Sequence, residues 1–308
     1  MVLLFLLKLF LIPMLSPLCV GIIRKVKAIM QNRKGASIMQ PYFDLYKLFH
    51  KDEVISKNAS WIFRFAPYLI FAISILIPLG IPLIASAESI SPISDFIVIV
   101  YLLALSTFFL SLSGIDVGSA FGGFGSSREM TLSALTEGVL MFSMIPIALI
   151  AQTTNLTMMA ATASSLPLND FFPISIAFVG FFIAMLSETG RIPFDNPATH
   201  LELTMIHEAM ILEHSGKRLA LIEWASANKL LIFAALGINM FFPWGIAHDL
   251  TLDKIAVSLF FFLVKLLILI AAIAFMESST AKFRLFRLPD VLLTGLIFGI
   301  IAIITTII

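Results

Sequence analysis

The chain has 308 residues, of which 59% are hydrophobic and 13% are charged, whereas soluble domains carry roughly 45–50% apolar and about 25% charged residues. This excess of apolar residues excludes an ordinary soluble domain, and a net charge of +1 gives no basis for binding nucleic acid. Cys19 is the only cysteine, which excludes an intrachain disulfide and a four-thiolate iron–sulfur cluster.

Apolar runs of membrane-spanning length set the predicted architecture, because a helix needs about 20 mostly apolar residues to cross a bilayer. The sequence predicts an all-α, polytopic integral membrane protein, built as a single membrane domain over residues 1–308. Its spans, about eight in number, are predicted at roughly 2–22, 65–87, 94–114, 132–152, 171–188, 229–248, 255–276 and 289–308. Pro78 and Pro82 are expected to kink or break the second span.

Basic residues set the predicted orientation, because lysine and arginine collect in cytoplasmic loops. All but three of the 20 lysines and arginines lie in loops that follow odd-numbered spans; the exceptions are Lys8, Lys254 and Lys265. Both termini are therefore expected outside the cytoplasm. The two long cytoplasmic loops, about 24–64 and 189–228, are expected to dock partner subunits, since long ordered connections usually carry function.

Acidic residues in apolar spans, or at their cytoplasmic ends, are the first candidate functional groups: Glu137, Glu188, Glu223 and Glu277. A carboxylate that faces lipid is costly, so such groups normally face a bundle interior or a water-filled cavity. For Glu137 this cost favours a function, whereas for Glu188 and Glu223 a helix-capping role stays open. Lys265 also lies within an apolar run, and we expect Glu137 or Glu223 to neutralise it.

The segment that follows the fifth span is the second candidate region. Glu188 and Arg191 are three residues apart, close enough to pair at a helix end. Two prolines, Pro193 and Pro197, then turn the backbone out of the helix. Three charges, the third of them on Asp195, at a lipid boundary favour function over a plain turn.

A histidine repeat and a glycine-rich segment resemble a metal site and a phosphate-binding loop, but their spacing and residue types do not fit either. His200, His207 and His214 recur every seven residues, a spacing of about 10 Å along a helix that is too long for one metal ion. Solvated or proton-exchanging side chains are favoured there. Residues 118–128 are glycine-rich but lack the Gly-Lys-Ser/Thr ending of a phosphate loop, so we predict a tight cytoplasmic loop.

Several motifs together resemble a known family. The run from Glu188 to Asp195, followed by Glu202-Leu203 and Glu213–Gly216, is similar to the long cytoplasmic loop of the respiratory complex I subunit 1 family. Other motifs that resemble this family are Gln31–Gly35, Gln40, Asp44–Phe49, and Ser127–Glu129 with Glu137. The resemblance covers nearly the whole chain, at matching order and spacing.

One branch of that family is the most similar. Lys282–Asp290 and Phe242–Gly245 resemble the subunit 4 branch of membrane-bound nickel–iron hydrogenases and formate hydrogenlyase. Ala198 and His200 stand where complex I has two of three closely spaced glutamates, and His214 stands where the family usually has tyrosine. These departures weigh against quinone chemistry of the complex I type.

The resemblance implies a non-catalytic membrane subunit of an oxidoreductase complex, in the cell inner (plasma) membrane. It would anchor the peripheral electron-transfer arm and couple it to proton or sodium translocation. Implied partners are peripheral iron–sulfur and hydrogenase-like or quinone-reductase-like subunits, antiporter-like membrane subunits and the lipid bilayer, with no nucleic acid. We expect no cofactor bound by this chain itself, and a quinone at the subunit interface is the one candidate. No metal site is expected.

The resemblance also assigns residues. The implied proton path comprises Glu137, Glu188, Glu202, Glu213, Glu223 and Lys265. The implied loop and docking residues are Arg33, Lys34, Arg128, Arg191 and Asp195.

Two other function classes stay open at this point. A stand-alone proton-coupled secondary transporter is expected to show internal repeats and broken spans in corresponding halves, and neither is evident in the sequence. A purely structural anchor predicts that neutralising the buried carboxylates leaves coupling intact.

Overall fold

The computed structural model describes residues 2–84, 92–167, 171–196, 205–247 and 251–308. Within these ranges the chain is built from α-helices, two short 3-10 turns and an isolated bridge, with no extended strand. The α-helices are α1 (Val2–Met30), α2 (Gln40–His50), α3 (Trp61–Gly80), α4 (Phe96–Asp116), α5 (Ala120–Ala151), α6 (Leu156–Ser165), α7 (Phe172–Glu188), α8 (His207–Ile211), α9 (Gly216–Phe241), α10 (Leu252–Ser279) and α11 (Leu288–Ile307).

Seven helices in the described part of the chain are long and apolar enough to cross a membrane: α1, α3, α4, α5, α9, α10 and α11. The predicted span at 171–188 corresponds to α7, an apolar helix of 17 residues, which is at the short end of the roughly 17–25 residues of spanning helices. The predicted all-α, polytopic membrane fold is confirmed. The predicted break at the two prolines also lies where α3 ends, since the helix stops at Gly80, two residues before Pro82.

The prediction of a loop over residues 118–128 was wrong, because α5 already begins at Ala120. Ser119 caps its N-terminus by accepting a hydrogen bond from the Gly122 amide. The glycines serve close packing within the bundle. A Cβ atom at Gly125 would lie 2.8 Å from the Ala209 side chain, and one at Gly122 would collide with the Gly114 carbonyl of α4.

Helix α9 occupies the centre of the bundle, since every residue from Leu230 to Phe241 is buried. It packs against α1, α3, α7 and α10. Helices α5, α7 and α11 form a second tightly packed group, in which a Cβ atom at Gly180 would lie 2.8 Å from the Gly295 carbonyl oxygen. Small residues let helix backbones approach closely in membranes, where packing rather than burial from water drives association.

The segment after α2 is held to the start of α9. The Ser215 hydroxyl donates to the Val54 carbonyl at 2.9 Å and accepts from the Val54 amide at 2.9 Å. Next to it, the guanidinium of Arg218 is 2.7 Å from the Glu53 carboxylate. The end of the second long loop predicted to be cytoplasmic is therefore in contact with the first.

Candidate functional site

A cavity of about 360 Å³ lies between α1, α2, α9 and the segment that follows α7. One wall is apolar, with Val20 from α1 and Leu45 and Leu48 from α2. The rest of the lining carries ionisable side chains: Arg24, Asp44, Arg191, Asp195, His207, Glu208 and Glu223. We call this space the polar cavity.

Asp195 fixes the geometry of one side of the polar cavity. The residue is 3% exposed, and its carboxylate accepts hydrogen bonds from the backbone amides of Ile206 at 3.2 Å and His207 at 3.1 Å. The Lys282 ammonium lies 2.6 Å from the same carboxylate. Anions at helix N-termini are favourable because the first amides lack intrahelical acceptors. Asp195 thus positions His207 at the start of α8, which is a buried structural role rather than the docking role predicted for it.

A second, smaller cavity of about 40 Å³ lies deeper in the bundle and contains Glu129 and Glu188. Glu188 forms an ion pair with Lys229 of α9, at 2.7 Å, and both side chains are largely shielded from solvent. The same ammonium donates to the Thr107 hydroxyl of α4 at 3.0 Å. Helices α4, α7 and α9 thus meet at one ion pair, and Lys229 replaces the Arg191 partner that the sequence suggested for Glu188.

The two cavities share lining residues, namely Thr189, His207 and Ser226. They therefore form one track of ionisable and hydroxyl groups, from Glu208 and Glu223 to Glu188. Burial lowers the pKa of His207 to about 4, and the positive charge of Lys229 acts in the same direction. A neutral imidazole at this junction can accept a hydrogen bond at one nitrogen and donate one at the other.

Glu208 is a carboxyl group of the polar cavity whose pKa is raised toward neutral pH. Burial, together with the negative charges of Glu223 and Asp195, raises its pKa to about 7, and the positive charge of Arg24 acts in the opposite direction. Sequence reasoning missed Glu208, because this residue lies in a helix of only five residues, outside the apolar spans in which buried charges were sought. A group that exchanges protons near pH 7 suits proton transfer.

We expect Glu208→Gln to change how stability depends on pH. A carboxyl whose pKa is raised in the folded state binds more protons than the unfolded chain, so the folded protein loses stability as pH rises from about 4.5 to about 7. Thermal unfolding in detergent at pH 5, 6, 7 and 8 measures this. The variant should lose less stability than the parent over that interval. Parallel curves for the two proteins would show that Glu208 does not titrate there.

A buried network of neutral polar groups links α9 to α1 and α3. Asn228 accepts a hydrogen bond from Ser16 of α1 at 2.6 Å and donates one to Ser74 of α3 at 3.0 Å. Asn228 and Ser16 are fully buried. The sequence analysis missed these residues because it searched for charges, whereas buried amides and hydroxyls in membranes also bond across helices.

A second buried ion-pair cluster lies at the ends of α1 and α10. Glu277 of α10 binds Arg191 at 3.0 Å and Lys27 of α1 at 3.1 Å. The predicted pair between Glu188 and Arg191 is therefore wrong. Arg191 is 8% exposed, so it also cannot present its charge to a docked subunit; it holds the segment after α7 against α1 and α10.

Glu137 and Lys265 do not form the predicted ion pair. Lys265 donates to the Phe242 carbonyl at 2.9 Å and to the Asn239 side chain at 3.3 Å, and Asn239 in turn donates to the Pro82 and Leu83 carbonyls. Backbone carbonyls after a helix end need donors. Lys265 therefore acts as a hydrogen-bond donor at the C-terminal end of α9. It lines neither cavity of the track.

Glu137 lies on the outer side of α5, whereas the sequence predicts it inside the bundle. Its carboxylate accepts a hydrogen bond from Ser133 at 3.2 Å and lines a groove between α4 and α5. The neighbouring Thr136 points the other way and is 2.8 Å from the Ser187 hydroxyl of α7. The register of α5 is set by packing of Thr136 and Val139 on the core, and this rotates Glu137 outward.

The remaining predicted residues are dispersed. Glu213 is exposed and lines none of the cavities found in the described part of the chain, and Glu202 lies outside the described residues. Arg33 and Lys34 are exposed in the loop before α2. Arg128 is half-buried and donates to the Met205 carbonyl at 3.0 Å. Among the described residues no cluster of histidine, cysteine and acidic side chains could hold a metal ion.

Comparison with known proteins gives consistent similarities. Over residues 2–308 the sequence matches the NADH dehydrogenase family. The chain is 34% identical to hydrogenase-4 component C of Escherichia coli (strain K12), covering 92% of this chain and 88% of that protein. It is 30% identical to formate hydrogenlyase subunit 4 of the same organism, covering 93% and 92%.

The fold is also similar to a solved structure. A chain in the structure of the membrane-bound sulfane sulfur reductase, an archaeal respiratory membrane complex, superposes with a TM-score of 0.82. The two chains are 22% identical, and the match covers 98% of each. At this identity the likeness concerns the fold.

Proposed function

Because the chain belongs to the NADH dehydrogenase family, we propose that it is the membrane subunit of a complex I-like or hydrogenase-type oxidoreductase complex. It anchors a peripheral electron-transfer arm and couples that arm to proton or sodium movement. The relatives named as a hydrogenase component and as a formate hydrogenlyase subunit support the hydrogenase branch. Partners of this proposal are iron–sulfur and hydrogenase-like subunits in the arm and antiporter-like subunits in the membrane.

The observation that carries the proposal is the track of ionisable groups through the two cavities. Ionisable side chains within a membrane bundle are costly and usually mark ion or proton pathways. A proton enters at Glu208 and Glu223 in the polar cavity, passes His207, and reaches the Glu188–Lys229 pair. Ser187 and Thr136, whose hydroxyls are in contact, then connect this region to the α5 turn that carries Glu137.

The mixed lining of the polar cavity favours quinone reduction as a second candidate function. A volume near 360 Å³ is within the range of small-molecule sites, roughly 300–1,000 Å³. The apolar wall of Val20, Leu45 and Leu48 fits a quinone ring and the start of its tail, and His207 can donate a hydrogen bond to one of its carbonyl oxygens. A bound quinone would accept two electrons from the arm. This chain would supply the binding cavity and the side chains that deliver protons.

Purification of the tagged chain in mild detergent tests the proposal, and the two functions then separate by activity. We expect a particle with iron–sulfur and antiporter-like subunits that evolves hydrogen. Quinone reduction that is abolished by a Val20→Trp substitution in the apolar wall, without hydrogen evolution, would favour the second function. Recovery of a lone monomer or homodimer would contradict both and favour a transporter.

We propose that Arg33 and Lys34 form part of the docking surface for the peripheral arm. Both are exposed, and charge at an interface rim steers assembly. We expect Arg33→Glu with Lys34→Glu to lower the amount of arm subunits that co-purify, while this chain still inserts. Lys254→Glu, which reverses an exposed charge at the start of α10, is the control and should retain the arm. A normal amount of co-purified arm subunits in the double variant would show that these residues act in membrane orientation and not in docking.

The proposed orientation in the inner membrane places both termini outside the cytoplasm. A cysteine in place of Ser37, next to these cations in the exposed loop, reports on it once Cys19 is replaced by alanine. We expect membrane-impermeant thiol reagents to label this cysteine only after the cells are broken. Labelling in intact cells would show that this loop lies outside the cytoplasm and that the proposed orientation is wrong.

A further inference from the structure

The groove beside Glu137 lies on the outer face of the bundle, apart from the cavities of the track. It has a volume of about 700 Å³ and runs between α4 and α5. Exposed apolar side chains of α4 form one edge, with Val98, Tyr101, Leu105 and Phe108 at spacings of three and four residues. This is the spacing that a packed helix presents to a partner helix.

The floor of the groove is formed by small residues. Ala104 of α4 and Ser133 and Ala134 of α5 lie between the larger edges. Small residues let a transmembrane helix approach closely, and van der Waals packing then stabilises the pair.

Glu137 distinguishes this groove from an ordinary lipid-facing surface. It lies about 14 residues before the end of α5 at Ala151, which is roughly 21 Å along the helix axis and therefore within a hydrocarbon layer about 30 Å thick. Acyl chains have no group that can hydrogen-bond to a carboxylate. A carboxylate that faces lipid at this depth is costly, and among the described residues its hydrogen-bond donor is Ser133.

We propose that the α4–α5 groove binds a transmembrane helix of another membrane subunit, and that this helix donates a hydrogen bond to Glu137 from a cationic or polar side chain. Charge complementarity selects such a helix over lipid. The inference rests on the proposed membership of a multisubunit membrane complex, and it adds the surface and the chemistry of one partner.

Photo-crosslinking in the purified complex tests the occupant. A photoreactive phenylalanine analogue at Leu105, in the groove, should form an adduct with a transmembrane segment of another subunit. The same analogue at Ile268, an exposed position on α10, gives the yield and mass of lipid adducts for comparison. Lipid adducts alone at Leu105 would overturn the proposal.

Substitutions test the chemistry of recognition. Ala134→Trp fills the groove and should remove the crosslinked subunit from the purified particle, whereas Ile268→Trp should leave the composition unchanged. Glu137→Leu should lower the content of that subunit, and Glu137→Gln, which still accepts a hydrogen bond, should retain it. Full composition in the Ala134→Trp or Glu137→Leu particle would overturn the proposal. These readouts concern composition, so they are distinct from a failure of ion coupling in a complete particle.

Discussion

Glu277→Ala is expected to destabilise the protein by about 3–5 kcal/mol, the usual cost of removing one partner of a buried ion pair. Its carboxylate is almost fully buried between Arg191 and Lys27. The substitution leaves two cations without an anion, and Arg191 also loses the contact that holds the segment after α7 in place. Thermal unfolding in detergent, followed by circular dichroism, measures the loss.

Two variants separate this effect from a general loss of charge. Glu53→Ala removes the partner of Arg218 at a site that is more open to water, so a smaller loss is expected. Arg191→Met combined with Glu277→Leu replaces the pair by apolar groups and should recover much of the stability. An unfolding temperature for Glu277→Ala equal to that of the parent would show that the cluster does not stabilise the fold.

Lys229→Met is expected to abolish ion coupling and to destabilise the bundle. Glu188 would then be buried without its cation, which is costly. The hydrogen bond from Lys229 to Thr107 is also lost. The measurements are thermal unfolding and ion transport by the purified complex.

The double variant Glu188→Gln with Lys229→Met distinguishes a structural role from a role in proton transfer. With no buried charge left at the site, stability should return toward that of the parent. Coupling should stay lost, because a glutamine cannot release a proton. Restored coupling in the double variant would make the pair a structural contact only.

The helical membrane fold could be predicted from the sequence because span length and hydropathy are local properties. The positions of the helix ends were harder to predict from the sequence. The glycines at 122 and 125 suggest a loop in the sequence, yet they belong to a helix in which they allow close packing on α4 and α8. A glycine is often required by the close approach of a neighbour that is distant in the sequence.

The ionisable residues of the site could be predicted in part. The cost of a charge in the membrane drew attention to Glu188 and Glu223, which line the cavities, and to Glu277, which forms a buried ion pair. Pairing could not be predicted, since Lys229 lies 41 positions after Glu188 and Lys27 lies 250 positions before Glu277. Burial also changed the interpretation of Arg191, whose sequence neighbourhood is that of an exposed loop.

The direct test of proton transfer through this chain is the number of ions translocated per electron in proteoliposomes that contain the complete complex. Glu188→Gln keeps the size of the side chain but cannot release a proton, so we expect normal subunit composition and electron transfer with ion translocation lost. Glu213→Gln makes the same change at an exposed carboxylate outside the cavities and should translocate ions at the parent ratio. An unchanged ratio for Glu188→Gln in a complete complex would contradict the proposed path.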